Sequence, residues 1–467
     1  MREFDTVIVG GTVVFPEAIQ RCDIGIRQDK IVYIGEIHPH ELQRTEHIID
    51  ANELHVMAGM IDAHVHLNEP GLGDWEGFVT GSSALAAGGC TTFLDMPLNG
   101  IPPTVTVDAL QQKVQAAQDA TYIDYACWGG LVPGKLEHLE PLAEAGVCGF
   151  KAFMSAPGDP DEEAFRNVDD ETLLEGMRRI ARTGQVLALH AEYEPIVSQL
   201  TAECVAEQRF TPADYTASRP IAAEVAAVKQ ALHYAQETGC KLHFVHISSA
   251  EAVHMIQDAR AKGMDVTLET CPHYLALTDG DLEQIGAAAK CAPPLRSAAQ
   301  QEQLWHCVAS GEIDMITSDH SPCPSTLKTG ATNMFEAWGG ISGAQHSLEL
   351  MLEEGYLRRN LPLTLITRLL SLEPARRFGL LPHKGELRVG ADADLVLVNL
   401  QAGYQIEQDD LYYRHKHSPY IGRELHCRVE QTMSRGRIVY TREHGIVGKP
   451  MGQRIPMMKE QAAETAQ

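Results

Sequence analysis

Short apolar runs separated by turn-forming residues open the chain, and the texture changes near residue 55. Residues 4–14 are rich in β-branched side chains; Ile24-Gly25-Ile26 and Ile31-Val32-Tyr33-Ile34 follow, with a turn at Gln28-Asp29-Lys30 between them. Runs of this kind bounded by turn residues predict strands. The same texture returns at residues 393–398 and 436–440. One small β domain built from residues 1–55 and 385–445 is therefore expected, followed by a loosely ordered polar tail at 446–467.

Between these ends, over residues 56–384, apolar runs alternate with helical periodicity such as that of 171–183 and 222–238. The runs cover residues 56–66, 90–97, 122–129, 149–154, 186–192, 242–248, 266–274 and 313–319. Strands alternating with helices imply a parallel sheet, and eight such units predict an α/β fold of the (β/α)8 TIM-barrel type. Polar residues of chemical interest close several of these runs: His64 and His66 the first, His190 the fifth, His246 the sixth and Asp319 the eighth, while Lys151 lies in the fourth. The C-terminal ends of barrel strands are where such folds carry their active sites.

Composition narrows the function without changing the fold. The 467 residues carry a formal net charge of -25. That excess argues against a nucleic-acid partner, which needs cationic groups for phosphates, and against an anionic membrane surface. The N-terminal stretch has no apolar segment of signal-peptide length, and no window approaches a membrane span. The 11 cysteines form no C-x-x-C pair. Their odd count and scattered spacing do not read as a disulfide framework, so a reducing cytoplasm is expected.

His64-Val65-His66 puts two imidazoles on one face of a strand. Neutral imidazole is a good ligand for zinc and similar ions. Alone, this pair is as consistent with two unligated histidines, and the other strand-end residues tip the balance toward a metal centre. His243 lies three residues before His246, so strand alternation turns it the other way, toward a structural or surface-facing place. Lys151 leaves two readings open. It pairs with Asp319 or points out of the barrel, or it is carbamylated by CO2 into a carboxylate that bridges two metals.

At these residues the sequence resembles the amidohydrolase superfamily in its cyclic-amidohydrolase branch. The resemblance covers nearly the whole chain and includes the re-entry signature at residues 385–396. It implies a binuclear metal centre held by His64, His66, carbamylated Lys151, His190, His246 and Asp319. Zinc is the first choice of metal, and cobalt, manganese or iron suits the same donors. The resemblance also implies a homotetramer. Within the branch the allantoinases are most similar, on residues 64–71, 95–99, 290–296 and 338–343. Asn68, Asn99, Cys291 and Gly340 are the substrate contacts expected from those stretches. Dihydroorotases typically carry an arginine where this chain has Asn68 and a histidine where it has Cys323. Both departures remove groups suited to a substrate carboxylate, which allantoin lacks. Hydantoinase and dihydropyrimidinase chemistry stay open as alternatives. The complete ligand set disfavours a non-catalytic scaffold, and Lys151 disfavours a mononuclear deaminase. Asp319 is expected to act as general base and then general acid, with His273 and Glu192 the next residues to consider.

Overall fold

The computed structural model of the chain describes residues 3–157 and 165–457. The barrel strands are β1 (Met60–Val65), β2 (Cys90–Asp95), β3 (Asp124–Cys127), β4 (Phe150–Phe153), β5 (Val186–His190), β6 (Lys241–Phe244), β7 (Val266–Thr270) and β8 (Met315–Ile316). Each overlaps one of the apolar runs. Residues of β1, β2, β4 and β5 are buried without alternation, as parallel strands covered on both faces must be. The helices Asp170–Thr183 and Ile221–Thr238 fall on the two helical stretches of the pattern.

Strands β1 to β3 pair in parallel, as do β4 to β8. The continuation of β3 at Gly129–Gly130 pairs with β4 and joins the two sheets. The ring closes where Val65 bridges His320 and the His66 N–H donates to the His320 carbonyl at 2.8 Å.

Both chain ends build a second, nine-stranded sheet. Thr6–Val14 pairs with Ile19–Arg27 on one edge and with His55–Ala58 on the other, and His55–Ala58 pairs in turn with Leu395–Asn399. The first apolar run is therefore two strands rather than one. It divides at Gly59, where a β-carbon would stand 2.2 Å from Thr91 Oγ1. The re-entry segment is clasped by Lys384, whose ammonium lies 2.8 Å from Asp124 of β3, 2.6 Å from Asp394 and 3.1 Å from Asp392.

The tail departs from the sequence expectation. Residues 452–457 are tied to the barrel: the Tyr125 N–H donates to the Gln453 carbonyl at 3.0 Å, and the Ile455 N–H donates to the Tyr125 carbonyl at 2.7 Å. The cause is a gap between strands. β4 meets the chain only beyond Cys127, so the backbone groups of Tyr125 need partners from elsewhere. Residues 458–467 of the expected tail lie outside the described residues. Among the described residues no helix is long and apolar enough to cross a membrane.

Candidate active site

The strand ends converge. His64 and His66 leave β1, Lys151 sits within β4, His190 ends β5, and His246 and Asp319 follow β6 and β8; all are buried. Asp319 Oδ1 lies 3.2 Å from His64 Nε2 and 3.4 Å from His66 Nε2. The His64 and His246 rings stand 5.5 Å apart, and His190 Nδ1 is 3.0 Å from His246 Nε2. Phe153 stacks on His190 with ring centres 4.6 Å apart, and Lys151 Nζ lies 4.9 Å from the centre of the same phenyl ring. Lys151 is fully buried and its amine has no hydrogen-bond partner, so it neither pairs with Asp319 nor points out of the barrel.

Several of these residues hold left-handed backbone: His246 at φ +40°, Asp319 at +47°, Asn68 at +66° and Asn99 at +60°. Such geometry costs about 1–3 kcal/mol at a non-glycine residue and persists only where the surroundings enforce it. It also explains His243. β6 ends at Phe244, and the turn at His246 resets the alternation, so His243 does not face the surface. It is fully buried, with Nε2 2.9 Å from Glu269 Oε2 and Nδ1 2.8 Å from Thr267 Oγ1.

The electrostatics are those of a cation site. Burial drives His66 down to about 4 and His246 well below the imidazole range, so both are neutral near pH 7. Burial also drives the Lys151 amine down to about 8. For Asp319 burial alone would raise the pKa, but His64 and His66 beside it hold it at about 2. Neutral imidazole nitrogens around an ionised carboxylate are the donor set that divalent metals take. Donor atoms of His64, His66 and Asp319 all lie within 4.8 Å of one another. The unpaired Lys151 Nζ and His246 Nδ1 are what a polar site looks like when part of its bonding is reserved. The residues fit a metal centre.

Carboxylates behind the donors orient them. Glu269 Oε1 is 2.6 Å from His64 Nδ1, and Glu192 Oε2 is 2.8 Å from His190 Nε2. A carboxylate only accepts, so each fixes which ring nitrogen carries the proton. Glu192 is paired in turn with Arg219. Burial alone would raise Glu192, but the Arg219 guanidinium outweighs it and holds the carboxyl at about 2.

These groups floor a cavity of about 290 Å³ whose walls include Asn99, Tyr215, Arg219, Lys290, Ser321 and residues 335–339. Of the expected substrate contacts, Asn99 lines it. Asn68 instead donates its amide N–H to the Pro322 carbonyl at 3.3 Å. Cys291 is buried outside the lining, its carbonyl accepting from the Tyr215 hydroxyl at 2.9 Å, while its neighbours Lys290 and Ala292 reach the cavity. Gly340 packs on Ser321, whose carbonyl oxygen would sit 2.4 Å from an added β-carbon, and Gly339 lines the cavity in its place. His273 is buried with neither ring nitrogen bonded.

The part played by Glu269 has one signal in the sequence, a charged residue within the apolar run 266–274, and the strand that carries it is buried throughout its C-terminal half. Arg219 lies on a connection that carries no such signal, and in the stretch 290–296 it is Lys290 rather than the expected Cys291 that lines the cavity.

A model of the amidohydrolase family matches residues 55–439. A protein of Deinococcus radiodurans named allantoinase is 47% identical over 448 residues, covering 96% of this chain and 98% of its own. One of Rubrobacter xylanophilus with the same name is 47% identical over 461 residues, covering 98% and 99%. Among solved structures, L-hydantoinase (dihydropyrimidinase) from Arthrobacter aurescens superposes with a TM-score of 0.91 at 34% identity, over 97% of this chain and 100% of that one.

Proposed function

We propose, for a chain that belongs to the amidohydrolase family, that the reaction is hydrolysis of the hydantoin ring of allantoin to allantoate, a step of purine and ureide breakdown. The chain is a hydrolase of carbon–nitrogen bonds in cyclic amides. The observation that carries the finer reading is the meeting of Asp319 with His64 and His66 on the floor of a cavity sized for a small ring, in a chain nearly half identical to allantoinases along its length.

His64, His66, His190, His246 and Asp319 would hold two divalent ions, zinc first, with cobalt, manganese or iron suited to the same donors. Bound there, such ions supply Lewis acidity toward the ring carbonyl and bring the pKa of water toward about 7. Lys151 would complete the set as a carbamate: its neutral Nζ forms a bond to the carbon of CO2 and releases a proton. Its burial and unpaired amine support this.

Asp319, ionised and on the cavity floor, takes the proton from the water that attacks the ring carbonyl carbon. A carbon–oxygen bond forms, the ring carbon–nitrogen bond breaks, and Asp319 returns the proton to the leaving nitrogen. Glu269 and Glu192 hold His64 and His190 in place throughout, which keeps the cost of reorganisation out of the barrier. The structural likeness to hydantoinase favours a second reading, hydantoin or dihydropyrimidine opening in the same cavity. We further propose a homotetramer, by resemblance, and a reducing compartment, which the eleven free cysteines support.

Elemental analysis beside turnover tests this. Close to two divalent ions per chain, loss of activity on chelation, and a higher kcat/KM for allantoin than for hydantoin, dihydrouracil or dihydroorotate are expected. Full activity in metal-free protein would overturn it, and a preference for another ring would transfer the activity to that ring.

A further inference from the structure

The wall facing the catalytic floor contains a buried lysine without a counter-charge. Lys290 is 4% exposed, and among the described residues no carboxylate pairs with its ammonium. Its Nζ donates to the Ala337 carbonyl at 2.5 Å and the Phe335 carbonyl at 3.5 Å, and stands 4.6 Å from the centre of the Tyr215 ring. Lys328 lies behind it, equally buried, with its ammonium on the Ala287 carbonyl at 2.7 Å and the Lys290 carbonyl at 3.3 Å. Arg219, the other cation of the wall, is committed to Glu192 and through it to His190. Burial, with Lys328 and Arg219 adding to it, pushes the Lys290 amine down to about 7. A buried amine held by two carbonyls and a ring face, with no carboxylate, is costly to keep charged, and this one lines the cavity with N–H groups to donate in either protonation state.

We infer that Lys290 is a specificity-determining residue that reads the ureido arm carried by the substrate ring, an inference that rests on the allantoin reading above. A ureido group presents one carbonyl acceptor flanked by N–H donors. The wall presents the converse: an ammonium donor beside the Ala337 and Phe335 carbonyls, each with a second lone pair to offer. Lys290 donates to the arm's oxygen, and those carbonyls accept from its N–H groups. Unsubstituted hydantoin has the ring that meets the floor but no arm to meet the wall.

The test compares kcat/KM for allantoin with that for 5-propylhydantoin, which fills the same space without polar groups, in wild type, Lys290→Met and Lys290→Arg, with metal content measured on each. Damage to the floor lowers both substrates together and leaves their ratio intact. The allantoin to 5-propylhydantoin ratio should fall roughly 10–100-fold in Lys290→Met, mostly through KM, and recover in part in Lys290→Arg. An unchanged ratio would overturn the assignment. If Lys290→Met does not fold, wild type decides: equal kcat/KM for the two substrates overturns it, as does a preference for hydantoin-5-acetic acid, whose carboxylate would be the better partner for an unpaired ammonium. Wild-type protein that opens hydantoin and not allantoin overturns the proposed function itself.

Discussion

Glu269 and His64, 205 residues apart in the chain, meet in a 2.6 Å contact between Oε1 and Nδ1. The same carboxylate holds His243 through its other oxygen at 2.9 Å. The contact leaves His64 Nε2 facing Asp319 and the cavity floor, 3.2 Å from Asp319 Oδ1. Glu269→Gln keeps the shape but can offer His64 an N–H where an acceptor is needed. Metal affinity should fall by roughly 10–100-fold, read by competition against a chelator. Wild-type affinity in this variant would mean that the orientation of His64 is set elsewhere.

Asp319→Asn separates binding from chemistry. The amide retains one oxygen for a cation and cannot take a proton from water. kcat should drop by about 10²–10⁴-fold with KM changed far less, provided the variant's metal content is measured beside its rates. Near-normal kcat with a full metal complement would place the proton transfer on another residue, and His273 is the next to replace.

Lys151→Ala removes the amine that carbamylation requires. Activity and metal content should both be lost, with partial return when short carboxylic acids are added to the buffer. Lys151→Arg should show no such return, since the introduced guanidinium fills the space and keeps its charge. Wild-type turnover in Lys151→Ala would remove the carbamate from the mechanism.

The buried neutral histidines predict how metal-free protein responds to acid. Burial depresses His66 and His273 to about 4 in the folded chain, against about 6.5 when unfolded. Between those values the unfolded chain binds more protons, so stability rises with pH. The contribution is complete above about 6.5 and is lost as pH falls toward about 4, on the order of 1–3 kcal/mol for each residue. Denaturant midpoints of metal-free protein should therefore fall steadily from pH 7 to pH 4.5. His273→Gln should flatten that slope, and an unaltered slope would show that His273 is not among its sources.

Lys384 joins barrel to β domain through Asp124, Asp392 and Asp394. Lys384→Met removes the one ammonium that all three share, leaving Asp392 to Lys30 and Asp124 to Arg435 at 3.6 Å. Breaking one side of a buried ion cluster costs about 3–5 kcal/mol, which should appear as a lowered unfolding midpoint in a metal-loaded sample. A change within a few tenths of a kcal/mol would mean that water reaches these carboxylates.

The barrel and the strand-end places of most of the candidate donors were legible from the chain alone because they follow from local rules. Apolar runs of strand length recur with helices between them, and His64, His66, His190, His246 and Asp319 stand where those runs end. Strand alternation places a residue as long as the strand continues. It fails for His243 because the backbone turns left-handed at His246, and a φ of +40° leaves no trace in hydrophobic pattern. The tail at 452–457 reads as polar and loose, yet Tyr125 binds it, since an unpaired N–H and carbonyl on β3 exist only once β4 has drawn away. Glu269 behind His64, Arg219 behind Glu192 and the uncompensated Lys290 belong to the same class. What each does depends on which distant groups share its burial, and the cost of an unsatisfied charge or donor arises only where folding has removed the water.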